Sequence, residues 1–168
     1  MKAIIYTSNT GSTAEYAQLL GKELNLPIHS LQHAKNKVPA GSEIIYLGWM
    51  MAGGIKGYKE AAKLYKVRAV CGVGMGQTGT QLKEVRDKNA IPQRIPLFTL
   101  QGNFDVKKLH GVYRFMMNVM VKTAGKGLAN KTDRTPEEDD MLDMMVNGGK
   151  RVSLQNMKAI TEWYKSVY

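Results

Sequence analysis

The sequence predicts an α/β fold: a doubly wound, five-stranded parallel sheet with an extra helical insertion after the fifth strand. Two observations lead to this prediction. The candidate strands are unbroken apolar runs, such as Ile44-Ile45-Tyr46-Leu47, which is typical of parallel strands covered on both faces. Segments with helical spacing of apolar residues separate these runs, as expected for crossover helices. The length of 168 residues suits a single domain over residues 1–168 with a proper core.

Strands and helices alternate from the first residues to about residue 101. Predicted strands cover residues 3–6, 27–31, 42–48, 67–73 and 95–100. Predicted helices cover residues 13–24, 57–66 and 80–88. Gly53-Gly54 breaks the chain after the third strand. In a sheet of this kind ligands bind beyond the carboxyl ends of the strands, so the loops that follow the strands are the candidate site.

The last third of the chain departs from this alternation, with a helical insertion predicted over about residues 103–150. A helix over 106–123 is rich in methionine and ends at Gly125-Lys126-Gly127. One side of it carries Leu109, Val112, Tyr113, Met116, Met117 and Met120; the other carries Lys107, Arg114, Asn118 and Lys122. An acidic helix over 136–146 opens with the capping-box sequence Thr135-Pro136-Glu137-Glu138 and closes at Gly148-Gly149. Ser153 is predicted to cap a final helix.

Charge, cysteine content and the motifs present limit the functions that the chain can have. The net charge of +10 favours acidic partners or anionic membrane surfaces, while no nucleic-acid motif or aromatic-basic stripe is present, so nucleic acid is not expected. The N-terminus has no signal-peptide pattern and no apolar run is long enough to span a bilayer, which predicts a cytoplasmic protein. Cys71 is the single cysteine, and its apolar surroundings predict a buried structural thiol. No residues have metal-ligand spacing, and no G-x-S-x-G elbow occurs.

A cluster of hydroxyl residues joins the first strand to the first helix. It consists of Ser8, Asn9, Thr10, Gly11, Ser12 and Thr13. A helix N-terminus at the carboxyl edge of a parallel sheet is an anion site, where hydroxyls add donors and Gly11 lets the backbone approach. The stretch has neither the lysine of a Walker loop nor the G-x-G-x-x-G of a dinucleotide loop. A phosphate monoester met by neutral hydrogen bonds is one interpretation, and a polar turn with a helix cap is the other.

The pattern Ile4-Ile5-Tyr6-x-Ser8-x-x-Gly11-x-Thr13-x-x-x-Ala17-x-x-Leu20 resembles the flavodoxin signature. The resemblance implies a flavodoxin-like fold with strand order 2-1-3-4-5 and non-covalent FMN. It also implies that the loop from Ser8 to Thr13 wraps the FMN phosphate.

The resemblance assigns two further flavin loops. After the third strand, Trp49, Met50, Met51 and Ala52 would flank the isoalloxazine, and the backbone of Gly53 and Gly54 would approach its reactive edge; packing of Trp49 and the methionines in the core is the alternative. After the fourth strand come Gly74, Met75, Gly76, Gln77 and Thr78. Carrier flavodoxins often have an aromatic residue in this loop, and this sequence has none. One flavin face would therefore be open, or covered by Phe104 or by a partner.

The stretch from Leu109 to Met120, with the Gly-Lys-Gly turn after it, is similar to the flavodoxin-type, menaquinone-dependent protoporphyrinogen oxidases. This likeness implies an FMN-dependent oxidoreductase that exchanges electrons with a quinone or a porphyrinogen and needs no catalytic side chain. The acidic helix over 136–146 departs from that group. The alternatives are a one-electron carrier with a protein partner, against which the basic charge weighs, and a binding module that has lost the flavin.

The basic, methionine-rich helix has three interpretations. It would lie on an anionic membrane at the inner face, form a wall for a flat hydrophobic substrate, or pack its methionines on the sheet or across a homodimer seam.

Overall fold

We describe the protein from a computed structural model that covers residues 1–103 and 111–168. Within these ranges the side chains described are all except those of Val112, Tyr113, Arg114, Met116, Met117, Met120, Ala124 and Glu137. The prediction for Phe104, the start of the helix at 106 and the methionine-rich face fall outside this description.

A parallel sheet forms the centre of the fold. Its strands are β1 (Ala3–Thr7), β2 (Ile28–Ser30), β3 (Glu43–Met51), β5 (Lys66–Gly74) and β6 (Leu97–Gln101). They lie in the order β2-β1-β3-β5-β6, and all neighbouring pairs are parallel. The two-residue strand β4 (Gly54–Ile55) pairs antiparallel with the end of β3. The predicted α/β architecture with a parallel sheet is confirmed.

Helices cover both faces of this sheet. They are α1 (Ser12–Leu24), α2 (Leu31–Ala34), α3 (Tyr58–Leu64), α4 (Leu82–Asn89), α5 (Gly111–Asn130), α6 (Pro136–Asn147) and α7 (Lys158–Val167), with a 3-10 turn at Gln155–Met157. One apolar core joins the sheet to α1 and α7 through residues such as Leu20 and Ile160. The other joins it to α2, α3 and α4 through residues such as Ala61 and Val85. This arrangement is compatible with a doubly wound fold.

Most predicted elements are present with shifted ends, and three predictions need correction. The third strand was expected to end at Gly48, but β3 continues to Met51 because β4 folds back and gives Met50 and Met51 backbone partners. The short helix α2 was not predicted. The helix expected to stop before Gly125-Lys126-Gly127 continues to Asn130. Glycine costs a helix only about 1 kcal/mol per residue, and Gly125 is buried against α6, where an added Cβ would lie 3.9 Å from the Met145 sulfur.

Two of the predicted caps form as expected. Thr135 accepts a hydrogen bond from the Glu138 N–H while the Glu138 carboxylate accepts one from the Thr135 N–H, so α6 begins with a complete capping box. Gly148 ends the same helix. Ser153 Oγ accepts a hydrogen bond from the Asn156 N–H at 3.4 Å, but at the 3-10 turn that precedes α7 rather than at α7 itself.

Candidate functional site

The predicted site loops follow β1, β3 and β5, which are neighbours in the sheet and parallel. Because the carboxyl ends of parallel strands meet at one edge, the three loops open on the same side of the molecule. They are residues 8–11, the hairpin turn at 52–53, and residues 75–81.

The loop after β1 presents unused hydrogen-bond donors. Gly11 lies at φ +105°, a left-handed conformation that glycine adopts readily, and it directly precedes the first turn of α1. Within the described part of the chain, nothing accepts a hydrogen bond from the backbone N–H of Thr10, Ser12 or Thr13. Thr13 itself is buried, with 1% of its surface exposed. A helix start whose first N–H groups are free is suited to an anion.

Ser8 and Ser12 also make contacts that shape this loop. Ser8 Oγ accepts a hydrogen bond from the Ala14 N–H at 3.3 Å, which folds the loop over the start of α1. Ser12 Oγ accepts one from the Asn103 N–H at 3.0 Å and donates to the Asn103 carbonyl at 3.4 Å. A hydroxyl carries a single hydrogen. What Ser12 offers an anion in this arrangement is therefore its backbone N–H.

The second predicted site segment is a hairpin rather than an open loop. The sequence prediction put Trp49, Met50 and Met51 in a loop, but all three belong to β3. The turn consists of Ala52 at φ +46° and Gly53 at φ +74°, the type I′ geometry of a two-residue hairpin.

Two side chains hold and flank this hairpin. Asn89 of α4 accepts a hydrogen bond from the Ile55 N–H at 2.7 Å and donates one to the Gly53 carbonyl at 2.8 Å. The Lys56 ammonium lies 5.7 Å from the centre of the Trp49 ring, within cation–π range. The hairpin is thus a braced element, with an aromatic residue on its first strand.

Met50 fills the surface of the neighbouring strand. A Cβ atom placed on Gly72 would lie 2.5 Å from the Met50 sulfur, and one on Gly74 would lie 2.7 Å from its methyl carbon. The Met50 side chain therefore rests on a strip of β5 that has no side chains, and it packs against the core shared with α3 and α4.

The loop after β5 is tied to β6. Thr78 Oγ1 accepts a hydrogen bond from the Gln101 N–H at 3.0 Å, and the Met75 carbonyl lies 3.5 Å from Gln101 Nε2. The Gly79 N–H donates to the Thr99 carbonyl at 3.0 Å. The loop borders a cavity of about 160 Å³, lined by Met75, Gly76, Gln77, Thr80, Gln81, Asp140 and Met141.

The acidic helix α6 supplies one wall of that cavity, a role that sequence analysis did not predict. Asp140 accepts a hydrogen bond from Gln101 Nε2 and forms an ion pair with Arg151 at 3.1 Å. Arg151 also contacts Asp143 at 3.0 Å. Hydrogen bonds from Asn147 and Arg151 hold the pKa of Asp143 below its usual range, and the bond to Asp140 raises the pKa of Arg151.

A second polar contact set joins β6 to α1 and to the 3-10 turn that precedes α7. The Tyr16 hydroxyl donates to the Gln101 carbonyl and accepts a hydrogen bond from Asn156 Nδ2 at 2.7 Å. Burial raises the pKa of Tyr16, and it also raises the pKa of the fully buried Cys71 thiol, as expected for a structural cysteine. The missed residues Gln101 and Asn103 had one detectable signal: they follow the fifth strand at the same edge as the predicted loops.

Comparisons with known proteins gave no match: no family model matches the chain, and neither does any curated protein or solved structure. Over the described ranges, no helix is both long and apolar enough to cross a bilayer. Nor does that part of the chain bring together a group of histidine, cysteine or acidic side chains that could hold a metal ion.

Proposed function

We propose that the chain is a flavodoxin-like oxidoreductase that binds FMN non-covalently at the carboxyl edge of its sheet. The observation that carries the proposal is the loop after β1: Gly11 turns the chain into α1, and the N–H groups of Thr10, Ser12 and Thr13 have no acceptor among the described residues. The sheet order supports the flavodoxin-like assignment, because β2-β1-β3-β5-β6 corresponds to 2-1-3-4-5 when the two-residue β4 is set aside.

The residues of this loop fit a phosphate group. The positive end of the α1 dipole and several neutral donors favour a dianion without a lysine or arginine in the loop. A Cβ on Gly11 would meet no atom within 4 Å, so the space beside the loop is open to a ligand. Thr10 and Thr13 would contribute hydroxyls, while Ser8 and Ser12 would hold the shape of the loop.

The flavin ring would lie between the hairpin and the loop after β5. Trp49, Met51 and Ala52 are the hairpin residues available to it, because Met50 packs against Gly72 and Gly74. Gln77 and Thr78 would border it on the other side. When bound, FMN would supply the electron transfer, and the role of these residues would be to orient the ring and limit the access of water.

The cavity beside Met75, at about 160 Å³, is smaller than the roughly 300–1,000 Å³ of an ordinary ligand pocket, so it would hold only one edge of the electron-exchanging molecule. Two methionines and the amides of Gln77 and Gln81 line it, a combination of polarizable surface and hydrogen-bond donors suited to a flat molecule with polar edges. A quinone or a porphyrinogen is the substrate class to screen.

The exposed face of α5 supports a second contact, with an anionic membrane surface. Phe115 is 70% exposed and Val119 is 45% exposed, at helical spacing with the exposed Lys122 and Lys126. Apolar and basic side chains on one face of a helix, in a chain of net charge +10, are typical of binding at a lipid interface.

The visible absorption spectrum of the purified protein, before and after FMN is added and the excess removed, tests the cofactor. Flavin bands that stay with the protein are expected. Thr10→Val combined with Thr13→Val removes two donors, each worth about 0.5–1.5 kcal/mol, and should weaken FMN binding roughly ten- to hundredfold. Thr161→Val, which removes a hydroxyl from α7, is the matched control and should leave affinity unchanged. A protein that cannot be loaded with FMN would exclude the proposal.

A stepwise reductive titration then separates the enzyme from the electron carrier. A single spectral transition is expected for two-electron chemistry with a small-molecule substrate. Two separated transitions would instead favour a one-electron carrier with a protein partner.

A further inference from the structure

The short segment that follows β6 lies directly against the first turn of α1. A Cβ on Gly102 would lie 3.2 Å from Ser12 Cβ and 3.0 Å from Val73 Cγ1, so only glycine fits without displacement. The Gly102 N–H donates to the Gly74 carbonyl at 2.7 Å. This contact fixes the end of β6 between the loop after β5 and the start of α1.

Asn103 uses every one of its polar groups to bridge three segments. Its backbone N–H and carbonyl both pair with Ser12 Oγ, at 3.0 and 3.4 Å. Its side-chain oxygen accepts hydrogen bonds from the N–H groups of Arg151 and Val152, at 2.6 and 2.9 Å. Its side-chain nitrogen donates to the Glu15 carboxylate at 3.0 Å. Because both ends of the amide are bonded, the side chain fixes the position of its own backbone.

We infer that Asn103 is a positioning residue for the anion site at the start of α1. It acts through Ser12: the Asn103 backbone holds the Ser12 hydroxyl, and this sets the direction of the N–H groups in the first turn of the helix. The inference rests on the proposed binding of FMN and deepens it, by naming the residue outside the signature loop on which phosphate recognition depends.

The same contact set connects the anion site to α6. Arg151, whose N–H is bonded to Asn103, reaches Asp140 and Asp143 with its guanidinium group. The path from the first turn of α1 to the wall of the cavity is therefore a continuous series of hydrogen bonds. A shift of Asn103 would therefore move both the first turn of α1 and the cavity wall formed by α6.

A comparison of FMN with riboflavin separates this role from a general structural one. Riboflavin has the same ring and ribityl chain but lacks the phosphate. Asn103→Ala should weaken FMN binding about five- to tenfold, which corresponds to the loss of about one well-formed hydrogen bond. It should leave riboflavin binding unchanged. Asn147→Ala, which removes an exposed asparagine whose side chain donates to Asp143 on α6, is the matched control and should change neither affinity.

Ser12→Ala tests the same contact from the other side and serves if Asn103→Ala does not fold. The double variant should bind FMN no more weakly than the weaker single variant, because the two side chains act through one contact. An equal loss of FMN and riboflavin affinity, or no loss of either, would overturn the inference.

Flavin binding by the wild-type protein distinguishes a failure of the positioning role of Asn103 from a failure of the proposed function. If it binds FMN no more tightly than riboflavin, flavin binding stands and the positioning role is wrong. If it binds neither flavin, the proposed function fails and the inference fails with it.

Discussion

A methyl group added at Gly57 would overlap neighbouring side-chain oxygens. It precedes α3 at φ +79°, and a Cβ there would lie only 2.2 Å from the Tyr46 hydroxyl oxygen and 2.5 Å from Thr7 Oγ1. The Tyr46 hydroxyl is hydrogen-bonded to Thr7 Oγ1 and to the Lys56 carbonyl, both at 2.7 Å. Thr7 is the last residue of β1, so these hydrogen bonds hold the residue that directly precedes the hydroxyl-rich loop.

Gly41 provides a matched comparison, since it has φ +76° but a Cβ there would meet nothing within 4 Å. Gly41→Ala should cost only the backbone strain of a left-handed alanine, about 1–2 kcal/mol. Gly57→Ala carries the same strain. It also displaces the Tyr46 hydroxyl, which adds about 1 kcal/mol for each weakened hydrogen bond and about 1–3 kcal/mol of overpacking. The expected total is about 4–7 kcal/mol.

Urea unfolding followed by circular dichroism at 25 °C measures both variants against the wild type. The difference between the two variants, about 3–5 kcal/mol, is the part caused by displacing the Tyr46 hydroxyl. Equal destabilisation within about 0.5 kcal/mol would refute the argument, because it would mean that the Tyr46 hydroxyl can move away without loss of stability.

Three further predictions concern the hairpin, α6 and α5. Ala52→Asn should raise the free energy of unfolding by about 0.5–1 kcal/mol, since asparagine tolerates the positive φ of a type I′ turn better than alanine; a loss of stability in urea unfolding would contradict this. Hydrogen bonds, first from Lys131, lower the pKa of Glu138, so its contribution to stability is present above about pH 4.3 and is lost as the pH falls further. NMR shifts around Glu138 should follow this loss, and Glu138→Gln should remove the share that Glu138 contributes while the share of Asp143 remains. Phe115→Asp should reduce cosedimentation with phosphatidylglycerol vesicles, whereas the equally apolar exposed control Leu154→Asp should not; equal effects would exclude α5 as the binding face.

The sequence predicted the features that depend on local chemistry. Apolar runs such as the one centred on Ile45 become buried strands because both faces are covered by helices. The Thr135 capping box is local to four residues, so the start of α6 could be assigned without any tertiary information. The position of the hydroxyl-rich loop followed from the strand before it and the helix after it.

The features that were missed depend on partners distant in the sequence. The hairpin at Met50 and Met51 forms because Asn89, on a separate helix, satisfies Ile55 and Gly53. No pattern near residue 125 reveals that α6 packs against α5 there and carries the helix through two glycines. The contacts of Asn103 and Arg151 connect residues 48 positions apart. Such contacts become visible only when the strands are assembled.

Because Met50 packs on the strip of β5 without side chains, the sizes of the residues at positions 50, 72 and 74 depend on one another. A methyl group added at Gly72 or Gly74 would need the space that the methionine side chain fills, and a smaller residue at position 50 would leave that space empty. Alanine at 72 or 74 requires the Met50 side chain to move, and a small residue at 50 alone leaves a void, whereas the two changes together would restore the volume. Residues 50, 72 and 74 should therefore covary among related sequences. A library randomised at all three positions should return combinations of complementary size, such as a small residue at 50 with alanine at 72, that substitution at one position cannot produce.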